Sequence, residues 1–229
     1  MSKIKVMSAG AVEGPVTELA PAFTKAKGIK VDLDFNTVGA LKARFEGGEK
    51  TDVIVLSVSA IDAVEKGGRI VSGSRTDLGM ATCGVAVRDG MMMPNISTVD
   101  GFKRMLKFAI SIAANDPAHG GSSGIYLADL LKRMGLSDEV SPKLKLYKTG
   151  RECALALVRG EAEIGITFTS EFIAVPGTRV VGALPQEIGY VNGYAGAVTE
   201  DAAPEPARAL LSFLTEPESR ACFQRYGLG

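Results

Sequence analysis

Tryptophan is absent from these 229 residues, and histidine occurs once, as His119. A metal site built on several histidines is therefore excluded. Cysteine is almost as scarce. Cys83, Cys153 and Cys222 are odd in number, far apart and without C-x-x-C spacing, so they read as small buried hydrophobes rather than zinc ligands. The expected metal content is none, and no cofactor is expected. No apolar run reaches the roughly 18 residues needed to cross a bilayer, so no membrane insertion is expected. Charge of one sign is not in excess either: Lys+Arg and Asp+Glu are both 26, for a formal net charge of zero. That balance gives no electrostatic argument for a nucleic-acid partner or an anionic membrane surface. The first residues, MSKIKVMSAG, lack the apolar core and small-residue cleavage site of a secretory signal. The cytoplasm is the expected compartment, with the periplasm the expectation if a signal has been removed.

What is present is an ordinary globular composition, 46% hydrophobic and 23% charged, in a length that suits one large domain or two smaller lobes. Short β-rich runs alternate with helical patterns. KIKVM, IKVDLDF and TDVIVLS read as strands, each followed by an amphipathic stretch of helical period. LGMATCGVAVRDG reads as a long strand leaving the first sheet. The alternation then restarts with STVDGFKRMLKF as a helix capped by Ser97 or Thr98. The strands SIAAND, KLKLY, EIGITFT and TRVVGAL follow, interleaved with helices. One of these helices places Ile125, Leu127, Leu130, Leu131 and Met134 at helical spacing. YVNGYAGAVTE is a second long run, able to return to the first lobe, and two helices close the chain. The run Met91–Met92–Met93 reads as a surface or hinge-side loop.

Strands separated by helices of this length indicate βαβ units and parallel pairing. Two lobes joined by two strand crossings follow, the first lobe from residues 1–82 plus 196–229 and the second from 83–195. Ligands of open α/β sheets bind beyond the carboxyl ends of the strands. That rule collects the turns Ser8–Ala11, Asn36–Ala40, Ser57–Ser59, Asp116–Gly124, Thr149–Arg151 and Thr167–Glu171.

Several runs taken together carry a family resemblance: VMSAGAV near the start, FNTVGALKARFEGG, TDVIVLS, NDPAHGGSSGIY, CALALVRGEAEIGITFTSE and the PESRACF end. Their order and spacing resemble the substrate-binding proteins of molybdate and tungstate ABC transporters. The resemblance implies an α/β fold of the two-lobe, type II periplasmic-binding-protein-like class, with mixed sheets flanked by helices and a ligand cleft between the lobes. It also implies a small anionic ligand, and an ABC permease as partner if the protein is exported.

The chain departs from the family where the oxyanion is held. The resemblance implies hydroxyl donors in the first turn, in the turn after the second strand, and at a tyrosine. The matching positions here are Ala11, Val38 and Phe168. Each missing donor to a desolvated oxyanion costs on the order of 1–3 kcal/mol, so tight molybdate binding is not expected. Other donors are present. Gly121, Ser122 and Ser123 precede a helix and offer N–H groups and hydroxyls suited to a carboxylate. Arg151 can fork onto a second carboxylate, and Thr167 and Thr169 flank Phe168. Ser8, Ala9, Gly10, Ala11, Thr37, Val38, Gly39 and Ser57 make up the first-lobe candidates, mainly through backbone. The expected function is capture of a small anion, a di- or tricarboxylate, by a divergent binding protein of this fold. The alternative is an isomerase that moves a double bond in an unsaturated di- or tricarboxylate such as aconitate, as some proteins resembling this family do. For that chemistry His119 is the candidate base whose ordinary pKa lies nearest neutrality, with Glu171 next and Glu13 behind it.

Overall fold

The computed structural model describes residues 3–229. Along the chain, β1 (Lys3–Ala9) runs through a 3-10 turn (Gly10–Val12) into α1 (Glu13–Lys27), and β2 (Lys30–Asn36) leads into α2 (Val38–Glu46). Next come β3 (Val53–Ser57), α3 (Val58–Lys66) and the 13-residue β4 (Thr76–Arg88). Then follow α4 (Val99–Phe108), β5 (Ile112–Asn115), α5 (Ser122–Arg133), α6 (Ser137–Val140), β6 (Leu144–Tyr147) and α7 (Gly150–Val158). The chain continues through β7 (Ile164–Phe168), α8 (Thr169–Ile173), β8 (Thr178–Ala183) and β9 (Val191–Val198), and ends with α9 (Pro204–Leu214) and α10 (Pro217–Arg225). The one-turn α6 has no counterpart in the sequence pattern, which is too short there to carry a period. Among the described residues no helix is long and apolar enough to cross a membrane.

The chain divides into two compact units, one reaching through Ala81 and including Asn192–Gly229, the other Thr82–Val191. In the first, β1 pairs in parallel with β2 and β3, and β9 returns antiparallel to β3. All five residues of β3 are buried, as expected of a strand covered on both faces. Met7, Leu41, Ile54, Leu56, Ile61 and Ala197 are each fully buried in its core. In the second unit β5 lies in parallel between β6 and β7, while β4 pairs antiparallel with both β7 and β8. Its core joins Ala86, Ala113, Ala154, Leu157 and Phe172 under α7 and α8. The mixed sheets thus arise from two long strands, β4 and β9, each added antiparallel to a parallel set.

On α5, Leu127, Leu130 and Leu131 are buried, but Ile125 is 52% exposed. Ile125 is two residues from Leu127, about 200° around the helix, so it cannot share the buried face. Met91, Met92 and Met93 form a surface loop, Met92 at 91% exposure. The three cysteines are free and buried. Burial pushes the thiols of Cys83 and Cys222 up to about 12 and about 11, which makes them poor nucleophiles at neutral pH.

An ionic cluster ties β1 and β2 to the end of α2. Arg44 bonds Glu49 at 2.7 Å and Asp34 at 2.5 Å, and Lys5 reaches Glu49 at 2.8 Å. Hydrogen bonds from Arg44, then from Lys5, bring the Glu49 carboxyl from its ordinary 4.5 down to about 2. A carboxyl whose folded pKa is depressed stabilises the fold above its unfolded pKa and loses that contribution as pH falls through the folded value. Glu49 should therefore support stability fully above about pH 4.5 and not at all near pH 2. Urea midpoints of the wild type and Glu49→Gln should converge across that window. A gap that stays constant with pH would show that Glu49 has no such role.

Candidate functional site

The candidate residues of the first unit lie at the carboxyl ends of three neighbouring parallel strands. β1 ends at Ala9, opposite Asn36 at the end of β2, and β3 ends at Ser57. Ser8 is fully buried and its hydroxyl bonds the Ala9 carbonyl at 3.4 Å. Ala9 and Ala11 are buried and Gly10 is half-buried. Ala9 caps the 3-10 turn Gly10–Val12 with no side-chain hydrogen bond. Thr37 caps α2, its hydroxyl accepting from the Ala40 N–H at 3.3 Å. Val38 packs against the core and Gly39 is half-buried. Ser57 is the N-cap residue of α3 but makes no cap bond; its hydroxyl faces that of Ser59 at 3.3 Å. The first unit thus presents backbone N–H groups more than side-chain donors, as helix starts without side-chain caps do.

In the second unit the candidates gather at the carboxyl ends of β5, β6 and β7. The Gly121 position is the N-cap of α5, and no side chain caps the helix. Ser122 and Ser123 therefore do not act as caps. They separate by depth. Ser122 is half-buried. Ser123 is 1% exposed, and its hydroxyl pairs with that of Thr167 at 2.9 Å. Thr167 in turn donates to the Glu171 carboxylate, which also accepts from the Phe168 N–H at 3.4 Å. Ser123 is thus committed inward rather than offered to a ligand. Gly124 is required here, because a Cβ at that position would run into the carbonyl of Asn115. That contact seats α5 directly on β5.

Glu171 is 6% exposed, on the short helix α8. Its carboxyl group lies against Gly150, the first residue of α7, where a Cβ would overlap it. The partial positive charge of a helix N-terminus favours a carboxylate in that place. The Glu171 charge reaches both neighbouring thiols: after burial itself, it is the next cause holding Cys83 and Cys153 above their ordinary values. Cys153 donates to Asn115 Oδ1 at 3.2 Å. The geometry gives Glu171 an architectural task, fastening α8 to the start of α7. Phe168 and Thr169 are buried beside it, and Arg151 is exposed in the first turn of α7, which a Thr149–Glu152 capping box closes.

His119 stands apart from this buried network. It ends the 3-10 turn Pro117–His119 that precedes α5. Its Nδ1 lies 2.9 Å from Asp116 Oδ2, and Asp116 also accepts from the Ala118 N–H at 2.9 Å. That backbone bond first, and the His119 bond after it, lower the Asp116 carboxyl below its ordinary value. Glu13 opens α1 at the first-unit turn. Among the described residues no group of three or more His, Cys, Asp or Glu is arranged to hold a metal ion.

Two α/β units, each presenting strand-to-helix turns at the carboxyl ends of a parallel set, define a solute-binding class of protein. The chain belongs to the bacterial extracellular solute-binding protein family, which matches it over residues 4–229, and its fold is the α/β periplasmic-binding fold. It is 34% identical to the aconitate isomerase of a Pseudomonas species over 235 residues, covering 100% of this chain and 88% of that protein. It is 30% identical to the molybdate-binding protein of Escherichia coli (strain K12) over 229 residues, covering 98% and 88% respectively. Among solved structures, the Azotobacter vinelandii periplasmic molybdate-binding protein superposes with a TM-score of 0.80 at 19% identity, over 99% of this chain and 98% of that one.

Proposed function

We propose that the protein binds a small di- or tricarboxylate, held on the N–H groups at the start of α5 beside Ser122. The observation that carries this reading is the α5 N-terminus. A 12-residue helix there begins without a side-chain cap, next to a half-buried serine hydroxyl. Molybdate is disfavoured because Ala11, Val38 and Phe168 bring no hydroxyl to the places where the molybdate-binding resemblance implies one. The relationship to an aconitate isomerase supports a carboxylate as the ligand class.

Calorimetry against trans-aconitate, citrate, molybdate and sulfate tests the reading. A carboxylate should bind, and at 100 times its dissociation constant should stabilise the fold by roughly 2.7 kcal/mol. For a chain of this length that is a rise in melting temperature of about 5–10 °C. A submicromolar molybdate constant, or silence across all carboxylates, would overturn it.

A second reading, isomerisation of an unsaturated tricarboxylate, is supported by that same relative and by the Asp116–His119 pair. In that chemistry a base takes a proton from the methylene beside the double bond. The electron pair shifts the double bond by one position, and a proton returns at the far carbon, so nothing is consumed. His119, oriented by Asp116 on the turn that leads into α5, is the side chain suited to the transfer. New vinyl proton signals from trans-aconitate, abolished by His119→Gln, would identify an isomerase. Tight binding without turnover would identify a binding protein.

A further inference from the structure

Tyr190 is not accounted for by the fold alone. It lies in the second unit between the 3-10 turn Gln186–Ile188 and β9. Its backbone is fixed, the carbonyl accepting from the Cys83 N–H at 2.8 Å. Its ring is fixed as well. It stacks on Tyr126 with centroids 4.4 Å apart and planes 7° from parallel, and it leans on Phe168 at 5.9 Å. Tyr126 is itself tethered, its hydroxyl donating to the Ile188 carbonyl at 2.8 Å. The one part of Tyr190 that this packing leaves to do chemistry is its hydroxyl. Tyr190, Tyr126 and Ser122 line an open depression of about 370 Å³ together with Ile125 and Asp129. The only acid in that lining, Asp129, is paired with Arg133 at 2.8 Å.

We propose that Tyr190 is a ligand-contacting residue, donating its phenolic hydroxyl to the carboxylate held at the start of α5, with the Tyr126–Tyr190 stack setting where that hydroxyl points. The inference rests on the carboxylate reading above and adds a residue to it. Burial, the largest influence, raises the phenol above its ordinary range, so it stays a neutral donor at physiological pH. A neutral donor beside a half-buried serine and uncapped N–H groups supplies the mixed O–H and N–H set that a carboxylate accepts.

Tyr190→Phe removes the hydroxyl and keeps the stack. Titrated with trans-aconitate as the probe, this variant should bind 10- to 100-fold more weakly than the wild type. Without ligand, Tyr190→Phe should melt within a few degrees of the wild type. Wild-type binding matched by Tyr190→Phe within twofold overturns this inference and leaves the carboxylate reading standing. Absence of any carboxylate binding by the wild type overturns both. Should Tyr190→Phe fail to fold, nitration of the wild type by tetranitromethane, mapped by mass spectrometry, decides the matter. Saturating trans-aconitate should protect Tyr190 at least fivefold while leaving Tyr147 unchanged, and equal nitration of Tyr190 with and without ligand overturns the proposal.

Discussion

Gly150→Ala should destabilise the protein by about 3 kcal/mol, at the upper end of the penalty for overpacking a buried site. The new methyl group would occupy the space of the Glu171 carboxyl group. Neither side can yield at low cost. Gly150 is the first residue of α7, and Glu171 is held by the Thr167 hydroxyl and the Phe168 N–H. Pushing the carboxylate aside would strip a buried charge of its donors. A loss of that size lowers the melting temperature of a chain of this length by roughly 6–12 °C. The cause can be isolated with a double mutant. Glu171→Ala clears the space, so Gly150→Ala should cost far less in that background, and the two substitutions should be strongly non-additive. Additive penalties in chemical denaturation would show that the carboxylate and Gly150 are not in contact.

Ser122→Ala and Ser123→Ala should separate affinity from stability, although the two residues are adjacent. Ser123 is buried and bonded to Thr167, so its loss should cost about 1–2 kcal/mol of stability and leave carboxylate affinity nearly unchanged. Ser122 is half-buried at the uncapped start of α5, so its loss should weaken carboxylate binding about tenfold with little effect on melting. Calorimetry and thermal melts of the two single variants check both halves. The reverse pattern would place the ligand on the inner side of the turn and require Ser123 to rotate outward.

The alternation of strand and helix was legible because buried parallel strands such as VIVLS stand out as short, nearly continuous apolar runs between amphipathic stretches. The turns at strand ends followed from topology alone. What the pattern could not show is which way each side chain faces within a turn. Ser122 and Ser123 are chemically identical in sequence, yet one looks out and the other joins Thr167 and Glu171. Glu171 reads as a candidate base until its contact with Gly150, 21 positions earlier, gives it a structural explanation. Ile125 fits a loose apolar spacing but misses the buried face. Tyr190 carried no signal, because its significance comes from Tyr126 and Phe168, which lie 64 and 22 positions away along the chain.

The two compact units differ in how the ribosome delivers them. Thr82–Val191 is a single uninterrupted stretch, so all the residues it needs have been synthesised by the time Val191 is joined. The other unit begins first and finishes last, because β9, α9 and α10 come from Asn192–Gly229. Ala195 and Ala197, buried beside Ile54 and Leu56, are added more than 130 positions after those partners. Until then the nascent amino-terminal segment exposes the apolar edge of β3 that β9 will cover. Pairings between such distant positions are the slow steps of folding, and exposed strand edges are where nascent chains aggregate. During synthesis, the part of this chain most in need of a chaperone is therefore the part made first.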